Sequence, residues 1–238
     1  MEIVPELAES WENPSPTEWI FKLRQGVTFH NGAPFTADDV VFSFERILKP
    51  GSVDGQSSPR TGMVGPMEWV EKLDEYTVKF VFKEPWPIFL RILPHHQMVP
   101  KKYIEEHDSA YFAQNPVGTG PFRFVRGSLD EEVVLERYDD YYGGSPDLPP
   151  VGPAPAKTVV FKVLPETATR VSALQAGEVH IVQAVPPHLV NQLKADSNVQ
   201  VKTATGTRVF FLELNVTKKP FDDVRVRRAI NHAIDWDA

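Results

Sequence analysis

A chain of 238 residues, 42% hydrophobic and 24% charged, has the composition of one large globular domain or two small ones. The net charge of −7, with acids and bases interspersed, leaves no basic patch for nucleic acid, and no apolar run approaches the roughly 20 residues of a membrane-spanning helix. The absence of cysteine excludes disulfides, thiolate metal sites and cysteine catalysis, and Met1-Glu2-Ile3 carries neither the basic nor the apolar stretch of a signal peptide.

The 22 prolines favour extended connections over long helices. Residues 1 to 35 read as strand-rich. Pro5 to Trp11 leads in and Asn13-Pro14-Ser15-Pro16 turns. Trp19, Phe21 and Leu23 then alternate against Ile20, Lys22 and Arg24, and Val27 and Phe29 resume the pattern before an Asn31-Gly32 turn. A helix should start at Thr36, with Asp38 and Asp39 at the positive end of its dipole. It should bury Ala37, Val40, Val41, Phe44 and Leu48, and end before Pro50. Gly51 to Pro66 reads as a surface loop and Met67 to Leu73 as a short helix or turn. Glu75 to Phe82 alternates as a strand, Pro85-Trp86-Pro87 opens a short helix at Ile88 to Leu93, and Lys101 to His107 forms another.

Beyond Asn115, Val117-Gly118-Thr119-Gly120 is expected to be a turn where only glycine fits. It feeds a strand, Phe122 to Val125, whose hairpin partner is Glu132 to Arg137. Leu148 to Pro155 reads as a proline-rich linker. From Lys157 a βαβ pattern predicts a parallel-rich sheet. Its strands would be Thr158–Val163, Val179–Val182, Val199–Thr203 and Arg208–Asn215, and its helices Glu166–Ala176 and Pro186–Ala195. A last helix follows Phe221-Asp222-Asp223.

Few residues suggest chemistry. His95 and His96 are adjacent, so in an extended segment their rings point to opposite sides, which disfavours a shared metal; one surface and one partly buried histidine is the plainer reading. The 117–120 turn lacks the lysine and helix of a phosphate loop. Gln183 and Val185 follow a predicted buried strand at its carboxyl end, where open α/β sheets bind ligands, and Gln183 offers a donor and an acceptor suited to a peptide backbone. Phe210 and Phe211 point to opposite strand faces, one into the core and one free for a ligand, with Glu213 and Asn215 weaker candidates. Trp11, Trp19, Trp69 and Trp86 read as packing residues, and Trp236 lies at the end of the chain. No carboxylate pair or Ser/His/Asp set stands at a recognisable spacing, so an α/β hydrolase-type enzyme survives only as an alternative without a motif.

The order of residues carries more than their chemistry. Ala8-Glu9-Ser10-Trp11, Leu23-Arg24, and then Gly26-Val27-x-Phe29-His30-x-Gly32-x-Pro34-Phe35-Thr36-Ala37-x-Asp39-Val40-Val41-x-Ser43 resemble the family 5 extracellular solute-binding proteins. So do Asn115 to Phe122 and Phe221 to Ile230. These are the peptide-, dipeptide- and nickel-binding receptors of bacterial ABC importers. The resemblance implies an α/β, periplasmic-binding-protein-like lobe (type II, cluster C) with a mixed β-sheet, an accessory α/β subdomain and a second lobe missing. Residues 1–115 would be the accessory subdomain, 116–215 the core sheet, and 216–238 the start of a crossover to the other lobe. It implies a small peptide or related solute as ligand, with nickel chelate, haem, a sugar or an opine as alternatives. It implies ABC permease subunits as partners and a periplasmic or membrane-anchored extracellular location, with no cofactor, no bound metal and no catalysis. It places His95, His96, Gln183 and Val185 toward the ligand cleft, and Phe211 is taken as the ligand-facing member of the Phe210-Phe211 pair. A lobe standing alone should also leave an open sheet edge or apolar patch and self-associate.

Overall fold

Period-two alternation builds the first sheet. Four strands, β1 (Ala8–Ser15), β2 (Glu18–Leu23), β3 (Met67–Asp74) and β4 (Thr77–Phe82), pair antiparallel in the order β1-β2-β4-β3. This computed structural model describes residues 3–128, 130–148, 151–204, 206 and 211–235. Phe21 and Leu23 of β2 and Val78, Phe80 and Phe82 of β4 are buried, as their alternation requires. The segment read as a short helix at Met67–Leu73 is strand β3. A register shift between Met67 and Trp69 sets the buried Met67 and Val70 three apart, the spacing a helical turn also gives. Val27 and Phe29 are fully buried but form only an isolated bridge, Thr28 to Pro34.

Helix α1 (Ala37–Leu48) lies against this sheet and buries Ala37, Val40 and Phe44. Phe44 meets Phe80 edge-on at 4.9 Å, and Phe89 of the short helix α2 (Phe89–Ile92) meets Phe82 at 4.8 Å. Each fully buried ring contributes about 1.5–3 kcal/mol over leaving it in water, so these phenylalanines dominate the core. Helix α3 (Lys101–Glu106) follows as expected. A further helix, α4 (Ser109–Gln114), starts where the Asp108 side chain accepts from the Tyr111 amide at 2.7 Å.

The second sheet holds the predicted hairpin, β5 (Phe122–Gly127) and β6 (Glu132–Arg137), and adds β7 (Thr158–Lys162) in the order β5-β6-β7. The parallel-rich expectation is corrected here: every strand pairing among the described residues is antiparallel. Val179–Val182 and Val199–Thr203 join no sheet, and neither does 211–215. Arg208 to Phe210 and Trp236 lie outside the described residues. An apolar run becomes a strand only when a neighbouring strand takes its backbone donors and acceptors, and among the described residues no strand pairs with these.

The chain divides into two compact units, Met1–Val163 and Leu164–Ala238. The second carries three helices, α5 (Thr167–Gln175), α6 (Pro187–Lys194) and α7 (Val224–His232). Gly177, at φ +75°, ends the turn after α5, its amide bonding Leu174 O at 3.1 Å. Asp223 caps α7, accepting from the Arg225 amide at 2.8 Å. The overall class is mixed α/β, as the sequence implies.

Candidate functional site

Two polar residues on the buried side of α1 hold the segment that carries His96. The Asp39 carboxylate turns inward and accepts from the Thr36 amide (2.9 Å) and hydroxyl (3.2 Å), while its other oxygen accepts from the Lys101 amide at 2.9 Å. Ser43, one turn later, accepts from the Val99 amide at 2.9 Å and donates to the Asp39 carbonyl at 2.6 Å. Asp39 and Ser43 lie on one face because they are four residues apart on a helix. They fix both ends of Val99–Lys101 and so set where His96 sits.

His96 is 7% exposed, packs against Phe44 at 5.4 Å, and neither ring nitrogen has a hydrogen bond of good geometry. Burial lowers its pKa below the ordinary histidine value. The Met63 backbone opposes this, and Arg60 and His95 add to the lowering. His95 is exposed, and its carbonyl accepts from the Arg60 guanidinium. One surface histidine and one buried histidine is the arrangement the adjacency of the two predicts.

The glycine turn is held by His30. The His30 amide donates to Gly118 O at 2.9 Å, the Gly118 amide donates to His30 Nδ1 at 3.3 Å, and Nε2 lies 2.9 Å from Gly120 O. With Nδ1 accepting, Nε2 must carry the proton, so the ring is neutral. Its pKa is lowered, first by burial; the Gly120 carbonyl opposes and the Arg123 charge reinforces. Tyr138 packs edge-on against His30 at 5.1 Å, and its hydroxyl reaches Thr28 Oγ1 (2.8 Å) and Phe29 O (3.1 Å). The expectation that only glycine fits this turn is corrected. Neither Gly118 nor Gly120 has a positive φ, a Gly118 Cβ would meet nothing closer than His30 at 3.8 Å, and a Gly120 Cβ would meet nothing within 4 Å. Side-chain hydrogen bonds rather than left-handed backbone shape the turn.

Two hollows in the first unit share a wall made of His96, Gln97, Met98 and Gly118. One, of about 630 Å³, lies between the C-terminal half of α1 and the face of the second sheet that carries Phe122, Phe124, Val133 and Leu135. The other, of about 440 Å³, is lined by Trp11, Phe44, Tyr141 and Tyr142, with Glu6, Gln97 and Thr119 as polar groups. Burial raises the Tyr142 phenol far above its ordinary range, with the Glu6 charge adding to it, while Arg24 lies 5.6 Å from the ring centroid. An apolar lining with a few polar groups is the make-up of a small-molecule pocket. Among the described residues no three His, Asp or Glu side chains gather to hold a metal ion.

The remaining predicted site residues lie in the second unit. Gln183 is exposed, Val185 is half-buried and Phe211 is 72% exposed. Between Gln183 and Val185, Ala184 sits at φ +55°, a left-handed conformation uncommon outside glycine. His30 and Tyr138 were not picked out from the sequence by their chemistry. The available signal was the fixed place of His30 in the Phe29-His30-x-Gly32 run.

Comparison with known proteins agrees with this architecture. The family model described as bacterial extracellular solute-binding proteins, family 5 middle, matches residues 2–238. The dipeptide-binding protein of Escherichia coli (strain K12) is 32% identical across all of this chain and 46% of its own length. Heme-binding protein A of Haemophilus influenzae is 33% identical, with the same coverage. The periplasmic binding protein DppA of Helicobacter pylori, in complex with the peptide STSA, superposes with a TM-score of 0.82 at 33% identity, covering 98% of this chain and 48% of that one. The chain thus spans about half the length of these relatives. The chain belongs to the family 5 bacterial extracellular solute-binding proteins.

Proposed function

We propose that this chain forms most of one lobe of the substrate-binding component of an ABC importer, and that the complete receptor takes up di- and oligopeptides. The observation that carries the reading is the close backbone match to a relative bound to a peptide. In this scheme two lobes close on the solute about a hinge. Backbone hydrogen bonds grip the peptide main chain, and water-filled pockets accept varied side chains. The receptor acts in the periplasm, or anchored outside the membrane of a Gram-positive host, and hands its solute to permease subunits without chemistry. No helix among the described residues is long and apolar enough to cross a membrane.

Ligand contacts are proposed at His95, Gln183, Val185 and Phe211, supported by the exposure of His95, Gln183 and Phe211, and at His96 by its place in the wall shared by the two hollows. The segments 1–115 and 116–215 are proposed as accessory and core parts of the lobe, with 216–238 leading to the other lobe. Support for this division comes from the two sheets, which fall on either side of Asn115.

The test is a chimera in which this chain replaces the matching 46% of the E. coli dipeptide-binding protein. Titration calorimetry with di- to pentapeptides should give saturable binding, and haem, a nickel–histidine chelate and an opine serve as competing ligands. Heat from one of those, with none from peptides, would reassign the ligand within the family. A folded chimera that binds none of them would overturn the receptor reading.

A further inference from the structure

Asn31-Gly32 is the one place in the chain where asparagine precedes glycine. Such a pair can rearrange without an enzyme. The Gly32 amide nitrogen gives up its proton and attacks Asn31 Cγ. An N–Cγ bond forms, the Cγ–Nδ2 bond breaks, and the departing nitrogen takes up the proton and leaves as ammonia. Water then opens the five-membered imide at either carbonyl, giving aspartate or isoaspartate. Glycine permits the attack because no side chain crowds its nitrogen. The fold meets this chemistry with a hydrogen bond on the reacting atom. The Gly32 amide donates to Phe29 O at 2.8 Å, and the Phe29 amide donates to Ala33 O at 2.8 Å. With Gly32 at φ +81° and a bridge between Thr28 and Pro34, residues 30–32 form a three-residue hairpin loop with its glycine in the left-handed position. The Asn31 carboxamide is held too, its Oδ1 accepting from the Ala33 amide at 3.2 Å. Two further contacts keep this hairpin shut. Phe29 O accepts a second bond, from the Tyr138 hydroxyl at 3.1 Å, and His30 is clasped to Gly118 and Gly120.

We propose that Asn31-Gly32 is a latent self-modification site, guarded by the His30 clasp and Tyr138, which hold the Gly32 amide on Phe29 O. Both reacting atoms and every guarding bond belong to the first unit, and water is the only other reactant. Loss of the Gly32 amide proton is the step that amide hydrogen exchange also measures, and for a hydrogen-bonded amide it waits on local opening. Opening of the hairpin therefore sets the rate of conversion. The isoaspartate product then bars the return. It adds one methylene to the main chain between Phe29 O and the Gly32 amide, so the hairpin cannot regain its register. Unfolding becomes irreversible with time by a chemical route. This inference is independent of the solute-binding reading.

Mass spectrometry of the tryptic peptide running from Gln25 to Arg46 tests it, with fragmentation that tells aspartate from isoaspartate. The full chain is aged at one mildly alkaline pH, folded in buffer and unfolded in guanidinium chloride. The unfolded chain should convert Asn31 while Asn198, which precedes valine, stays intact. The folded parent should convert Asn31 at least about tenfold more slowly. Folded His30→Ala should convert it about fivefold or more faster than the folded parent, with exchange of the Gly32 amide rising by the same factor. If His30→Ala does not fold, Tyr138→Phe takes its place: it removes only the second bond to Phe29 O and should give a rise of about twofold. After dilution from denaturant, the isoaspartate fraction should stay less stable than the parent. A folded parent that converts as fast as the unfolded chain would overturn the proposal, as would an unfolded chain that keeps Asn31. So would a folded His30→Ala, or Tyr138→Phe in its place, whose conversion matches the parent's, or an isoaspartate fraction that regains the parent's stability.

Discussion

His30 and Gly118 are joined twice, by the His30 amide to the Gly118 carbonyl at 2.9 Å and by the Gly118 amide to the His30 ring at 3.3 Å. This pair ties the loop between β2 and α1 to the turn that opens β5. Replacing His30 with Ala removes two ring contacts and leaves a part-buried amide and carbonyl unmet, which should lower unfolding free energy by about 1–3 kcal/mol. Gln, which both donates and accepts, should recover part of the loss. Urea denaturation of the three proteins checks this, and equal stabilities would show the clasp to be idle.

The same clasp predicts a pH dependence. Burial lowers the folded pKa of both His30 and His96 below the ordinary value near 6.5. Above that value both rings are neutral in either state, and their contribution is fully present. As pH falls below it, the unfolded chain takes up protons that the folded rings refuse. Stability is therefore lost until the folded pKa values are passed, and then levels off. The difference between parent and His30→Ala should thus shrink as pH falls from about 6.5 toward 5. Carboxylates with lowered pKa, Asp74 and Asp223, titrate below this window and largely cancel in the difference. A difference that stays constant with pH would refute the neutral, accepting ring.

His96 has the opposite balance. Its nitrogens are buried without a good hydrogen bond, beside Phe44. His96→Phe keeps a flat ring, somewhat larger, beside the hollows and removes the desolvation penalty, so it should raise unfolding free energy by about 1–2 kcal/mol. In the chimera it should also weaken solute binding if His96 contacts the ligand. Stability and binding moving in opposite directions would mark a residue kept for function. A destabilised variant would mean that the nitrogens are satisfied in solution.

Legibility in the sequence followed the range of the interactions. Helix α1 could be read because its face, cap and stop are local to Thr36–Pro50, and β4 because its alternation is local to Thr77–Phe82. The β5–β6 hairpin was legible for the same reason, but the antiparallel pairing of β7 with β6 was not, since it depends on which strands are brought side by side across long connections, and apolar content at Val179–Val182 says nothing about a partner. The His30 clasp spans 88 residues and uses backbone groups of glycine, which leave no chemical mark in a sequence. The order of signature residues supplied family and fold where local physics stopped at a β-β-α unit.

Glycines separate backbone need from open space most sharply. Gly127 stands at φ +148°, and a Cβ there would lie 2.3 Å from the Glu132 carbonyl oxygen and 2.7 Å from Val133 Cα, both backbone atoms that cannot swing aside. Gly127→Ala should therefore cost about 1–3 kcal/mol and loosen the β5–β6 hairpin. Gly120→Ala meets nothing within 4 Å and needs no left-handed backbone, so it should be neutral, or stabilising by about 0.4–1 kcal/mol through a stiffer unfolded chain. Yet Gly120 lines the hollow of about 440 Å³. Gly120→Leu would then project into that space, leaving the fold intact while reducing solute binding in the chimera if the hollow takes part in the site. Thermal melting and calorimetry on the three variants separate the two roles. A Gly120→Leu chimera that binds peptide as well as its parent would remove this hollow from the site, while a stable Gly127→Ala would contradict the hairpin geometry itself.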